Sequence, residues 1–285
     1  MRHPIISLIV SLLTTSTVYA ATPQERLRAA VIYDDYSIVQ SLLAARVDPT
    51  GFDPVYRNTL LHVAAERDAA MVIPALVEAG ADINARGHSG WTPLIVAAHN
   101  GRLNAISTLV ELRADPNVPG LSGQRALHHT AQRGDWEATS RLVAHPLIEV
   151  NVFDHIHGTP FDRAIARARF LEHWRISAEG HWITAAILAA HGAILLPGAP
   201  TALLDLATTP RAEALPIIES LLAEQRTVQE ERAPFLTRLA ERLALRENQR
   251  RQAEANVSAV LQPSSTICSS VVAAHSSHCA SHACL

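Results

Sequence analysis

A short motif returns every 33 residues along this chain, and that step restricts the fold to a stack of one repeated supersecondary unit. Thr59-Leu60-Leu61-His62-Val63-Ala64-Ala65 is followed 33 residues later by Thr92-Pro93-Leu94-Ile95-Val96-Ala97-Ala98. Another 33 residues bring Arg125-Ala126-Leu127-His128-His129-Thr130-Ala131, and 34 more bring Thr159-Pro160-Phe161-Asp162-Arg163-Ala164. A second landmark keeps the same register: Gly80-Ala81-Asp82-Ile83-Asn84, then Arg113-Ala114-Asp115-Pro116-Asn117, then Ile148-Glu149-Val150-Asn151. Asn100-Gly101, Arg133-Gly134 and Gly180-His181 form a third, read as breaks between paired helices.

These positions have readable physics. A threonine before an apolar run accepts a backbone N–H of the first helical turn, and a following proline loses nothing there because its donor would be idle. Alanine pairs allow helices to pack closely. Asp and Asn two residues apart suit a turn. Together the landmarks resemble the ankyrin repeat, most strongly over residues 48–160, less so over 22–47 and 161–193, and faintly over 200–225. In unit three, Arg125-Ala126 stands where the pattern has Thr-Pro. The resemblance implies an all-α solenoid of helix–turn–helix units joined by β-turn loops. It also implies that His62 and His128 hydrogen-bond across to neighbouring backbone rather than serve catalysis or a metal.

The units are expected near 22–53, 54–86, 87–119, 120–153 and 154–193, with a degenerate one over 200–225, so that the array fills 21–225. Residues 22–53 are a capping helix pair, Gln24–Ile32 and Ser37–Ala45, and the units that follow the cap are numbered from one. In the fourth, Thr159 to Gly180 spans 21 positions where Thr92 to Gly101 spans 9, so its first helix should run on and project, carrying Phe170, His173, Trp174 and Arg175. Trp182–Ala190 would be its partner helix, and Pro216–Ala223 the second helix of the degenerate unit. Beyond the array, 226–255 reads as an amphipathic helix with Phe235, Leu236, Leu239 and Leu243 on one side. Arg238, Arg242, Arg246 and Arg250 form a stripe that is either a solvated face or a surface for an acidic partner.

The two ends read differently. Residues 1–20 have the features of a signal peptide: Arg2, an apolar core from Ile5 to Leu13, and a small-x-small site at Val18-Tyr19-Ala20. Cleavage there would leave Ala21 first in a periplasmic or secreted protein with no further membrane-length apolar run. Residues 256–285 are rich in Ser and Ala and are expected to be disordered. His275, His278, Cys279, His282 and Cys284 lie close together there as weak candidates for zinc or copper, without a paired Cys-x2-Cys.

Composition narrows function. The 285 residues include 24 basic residues, all Arg, against 27 acidic ones, for a net charge of -3, which gives no footprint for nucleic acid. No nucleophile elbow, phosphate loop, zinc-protease helix or dinucleotide fingerprint is present, so no catalytic residue and no cofactor is expected. The resemblance implies a monomeric scaffold for a protein partner. Exported ankyrin proteins of bacteria suggest a stress-protection accessory or an immunity-type protein of the periplasm; a secreted host-directed effector or a metal-binding protein are the alternatives. In the ankyrin pattern, residues at the turns and before the helix break face the partner. Here these are Glu66 and Arg67; Arg86, His88, Ser89, Trp91, His99 and Asn100; Leu121, Ser122, Gln124, Gln132 and Arg133; and Arg167. Trp91, Arg133 and Arg67 are the residue types that dominate interface energetics.

Overall fold

The computed structural model describes residues 22–51, 57–156, 158–195, 200–227 and 234–261. The expected signal peptide and the His/Cys cluster of the tail lie outside them.

The described residues build a two-layer α-solenoid. One layer stacks α1 (Pro23–Ile32), α3 (Leu60–Arg67), α5 (Pro93–Asn100), α7 (Ala126–Arg133) and α9 (Pro160–His173). The other stacks α2 (Tyr36–Ala44), α4 (Ile73–Glu78), α6 (Leu103–Glu111), α8 (Trp136–Val143) and α10 (Glu179–Ala190). Helices α11 (Thr201–Thr208), α12 (Arg211–Thr227) and α13 (Phe235–Leu261) close the C-terminal end against α10. The inner first-layer helices are flanked by a unit on each side, and the sequence answers with apolar residues all round: every residue of α5 from Pro93 to Ala98 is buried.

The helix starts are set by side chains. Thr92 Oγ1 accepts from the Ile95 N–H, and Thr159 caps α9 reciprocally with Asp162, a contact worth about 1 kcal/mol. In units one and three a histidine does this work. The Thr59 N–H donates to His62 Nδ1 at 3.1 Å, and the Arg125 N–H donates to His128 Nδ1 at 3.2 Å. Nδ1 is thereby the acceptor, and Nε2 donates across the unit boundary: His62 to the Trp91 carbonyl (2.9 Å), His128 to the Gly158 carbonyl (3.1 Å). Unit three thus keeps its helix start without Thr-Pro, while the Arg125 side chain ties the Asn117 carbonyl at 2.8 Å.

Two further ladders join the units. Asn84, Asn117 and Asn151 each accept, through Oδ1, an N–H of the next unit: those of Asp115, Glu149 and Ile194. The carbonyls of Glu66, His99 and Gln132, 33 residues apart in sequence, accept from Arg102, Arg133 and His181 respectively.

The structure moves one helix break. The left-handed residue that ends each first-layer helix is Asp34, Asp68, Gly101, Gly134 and, in unit four, Arg175 at φ 57°. Gly180 is not this break; it lies in the first turn of α10, where a Cβ would sit 2.6 Å from the Gly134 carbonyl oxygen. Close approach, not a turn, excludes a side chain there. The insertion is therefore divided. Helix α9 has 14 residues against 8 in α5 and does run on past its neighbours, and the remainder forms the link to α10.

Other boundaries shift as well. Helix α12 begins at Arg211, so Pro216 lies inside it rather than at its start, where the ring removes a backbone donor and crowds the preceding turn. Helix α13 runs to Leu261, past the expected end at 255, because no helix breaker occurs before Pro263. No helix among the described residues is long and apolar enough to cross a membrane.

Helix α10 is buried on all sides from His181 to Ala190, the pattern of a helix with neighbours all round. Helix α13 supplies part of that cover through buried Phe235, Leu239 and Leu243. Its start is fixed by Glu179, which accepts from the Phe235 N–H at 2.9 Å and pairs with Arg238 at 3.5 Å. Arg246 pairs with Glu213 of α12, while Arg250 and Arg251 pair with Glu247 of their own helix. The arginine stripe is not a free acidic-partner surface: two of its members tie α13 to the array.

Candidate functional site

Three consecutive units leave an open cleft of about 730 Å³ on the face of α5, α7 and α9. Unit two contributes Trp91 and His99, and unit three Gln124, His129, Gln132 and Arg133. Unit four contributes Arg163, Arg167 and Leu171 from α9, and His181 from the start of α10. The extension of α9 supplies Leu171, so the insertion contributes to the lining.

An aromatic cluster forms one end. The Trp91 ring lies 4.7 Å from His99 and 5.1 Å from His129, and the two imidazoles are 5.2 Å apart. Trp91 also packs on the turn of unit three, where a Cβ on Gly120 would sit 2.7 Å from its Cδ1. It is half-buried, so it is both a packing residue and a cleft residue.

The electrostatics are one-sided. The lining carries three guanidinium groups and three imidazoles and no carboxylate. Arg163 is paired with the buried Asp154. Burial works to raise the Asp154 pKa, but hydrogen bonds from the Gly158 and Ile156 N–H groups and the Arg163 guanidinium outweigh it and bring the group to about 2. Arg133 donates to the His99 carbonyl at 3.3 Å, and Arg167 stands 5.0 Å over the Phe170 ring. His129 is only 5% exposed; burial, then the charges that His99, His128 and Arg163 present, lower its pKa to about 4. Burial also lowers His181, partly offset by the Gln132 carbonyl. On the floor, His129 Nε2 and Arg163 Nε are buried without a hydrogen-bond partner.

Of the residues expected to face a partner, Trp91, His99, Gln124, Gln132, Arg133 and Arg167 come together here. The others lie elsewhere. Arg86 ties the Pro119 carbonyl at 2.8 Å, and the Ser89 and Ser122 carbonyls accept from the N–H groups of Leu121 and His155, so these residues form a row of linked turn tips that also includes His88. Glu66 and Arg67 are exposed at the end of α3, and Asn100 donates to the Val96 carbonyl of its own helix. His129, Arg163, Leu171 and His181 were not expected. His129 and Arg163 are four residues from Arg133 and Arg167, one helical turn along the same faces, a spacing the sequence does carry. Among the described residues no group of three or more His, Cys, Asp or Glu is placed to hold a metal ion.

Residues 27–120 match the family model described as ankyrin repeats (3 copies). The protein phosphatase 1 regulatory subunit 12A of Mus musculus and that of Rattus norvegicus are each 48% identical to this chain over 42 residues. That stretch is 15% of this chain and 4% of those proteins, so the chain spans only a small part of their length. Residues 27–120 thus carry ankyrin repeats, the all-α fold of the described residues is that of an ankyrin-repeat solenoid, and such repeats indicate a protein-binding scaffold.

Proposed function

We propose that this chain is an exported, non-catalytic scaffold that grips a protein partner through the cleft on α5, α7 and α9. The observation that carries this is the convergence of side chains from three successive units on one concavity. The lining has amides, guanidiniums and aromatic rings suited to recognition, and it contains no serine, cysteine or carboxylate for its three imidazoles to activate or pair with. Export rests on the sequence of residues 1–20. The likeness to exported ankyrin proteins of bacteria favours a stress-protection accessory or immunity-type role in a periplasm, with a secreted host-directed effector as the alternative. The test is capture of a partner from extracts of the producing cell by the immobilised chain. Replacing Gln132 and Arg167 together by Ala should abolish retention, while Leu121→Ser and Ser122→Ala at the turn tips should leave it intact. The reverse pattern would place the binding surface on the tips.

A further inference from the structure

We infer that the cleft receives an acidic segment of its partner, with Asp or Glu side chains seated among Arg133, Arg167 and His181. This rests on the scaffold reading above and specifies its ligand. The whole chain is slightly acidic, at -3, yet the cleft lining holds three guanidiniums and no carboxylate. Asp154 beneath the surface answers one of them, Arg163. Arg133 reaches only a neutral carbonyl and Arg167 only an aromatic face, so two cations on this wall have no carboxylate partner among the described residues. Like charges gathered without counter-charge repel one another, and an incoming carboxylate relieves that repulsion while gaining charge-assisted hydrogen bonds.

The imidazoles agree with this direction. Burial, and after it the Arg167 charge, lowers the His181 pKa, and burial followed by His99, His128 and Arg163 lowers that of His129. Both are held toward the neutral form, so the positive charge of the cleft rests on its guanidiniums. Gln124 and Gln132 add amide donors, while Trp91 and Leu171 give apolar surface for a neighbouring side chain. The volume of about 730 Å³ exceeds the need of a single carboxylate and suits a short run of residues.

The test uses the full chain and a phage-displayed library of random dodecapeptides, panned at low salt. The expected selection is enriched in Asp and Glu over the starting library. A synthetic peptide of the selected consensus should bind about tenfold or more weakly to Arg167→Glu and to Gln132→Glu, both exposed positions, with circular dichroism and melting unchanged, and nearly normally to Arg167→Lys. Raising salt should weaken it further. Neutral or basic consensus peptides that are lost with Arg167→Glu would overturn the acidic assignment and leave the scaffold reading standing. Peptides indifferent to every cleft variant, or no enrichment at all, would overturn both. Displacement of the acidic peptide by inorganic phosphate or oligothymidine at lower concentration than by free peptide would overturn the assignment to a protein partner.

Discussion

His129 shows how a single side chain couples the cleft to stability. Its pKa falls from 6.5 to about 4 on folding, chiefly through burial. The unfolded chain therefore takes up a proton first as pH drops. The contribution of this group is intact above pH 6.5 and is lost as pH falls from there toward 4, by up to ~3 kcal/mol. His62, His128 and His181 shift in the same direction through burial. Asp154 adds a second stage, lost as pH falls from 3.8 to about 2. Urea unfolding across a pH series should show stability flat at neutral pH and declining below about 6.5, with a shallower decline in His129→Leu. Stability that rises on acidification would contradict the assignment. Trp91 gives a second residue-level expectation. Being half-buried against His99, His129 and the unit-three turn, Trp91→Ala should cost about 2 kcal/mol, less than the ~3–5 of a fully buried tryptophan. It is thus a poor probe of binding alone, contrary to what its residue type suggests.

At the scale of elements, the α9 extension and the C-terminal helices each depend on a few contacts. The Trp182 indole N–H donates to Glu172 at 2.6 Å, fastening the extended end of α9 to α10. Glu172→Ala leaves that buried indole unpaired and should cost about 1–2 kcal/mol, whereas Glu172→Gln retains an acceptor and most of the stability. Thermal melts of the two variants separate the outcomes. Phe235→Ala should lower stability by about 3 kcal/mol, since the ring is fully buried at the anchored start of α13. The repeat period, the capping threonines, the turn asparagines and the overrun of α9 could all be read from the sequence, because each is a local pattern recurring at a fixed step. The break at Arg175 could not. Left-handed backbone favours glycine, and here Arg46, Arg113 and Arg175 adopt it instead, while Gly180 is glycine for a tertiary reason. The arginine stripe of α13 was ambiguous for the same cause: Glu179 and Glu213 are distant in sequence, and only the folded array brings them to Arg238 and Arg246.

The whole molecule is a linear stack whose stability spreads from neighbour to neighbour. The residues of the cleft illustrate what such a stack hides from its own sequence. The resemblance marked positions unit by unit, and six of them meet in the cleft. His129, Arg163, Leu171 and His181 join them only because adjacent units stack in register and α9 overruns its neighbours. The remaining positions form the turn tips and helix ends, a separate surface. Hydrogen–deuterium exchange of the full chain, with and without its captured partner or a selected acidic peptide, tests the central claim most directly. Protection concentrated in the C-terminal turns of α5 and α7, in the 163–171 stretch of α9 and around His181 is the predicted result. Protection confined to the turn tips at 86–91 and 119–124, or to the outer layer of α6 and α8, would contradict it.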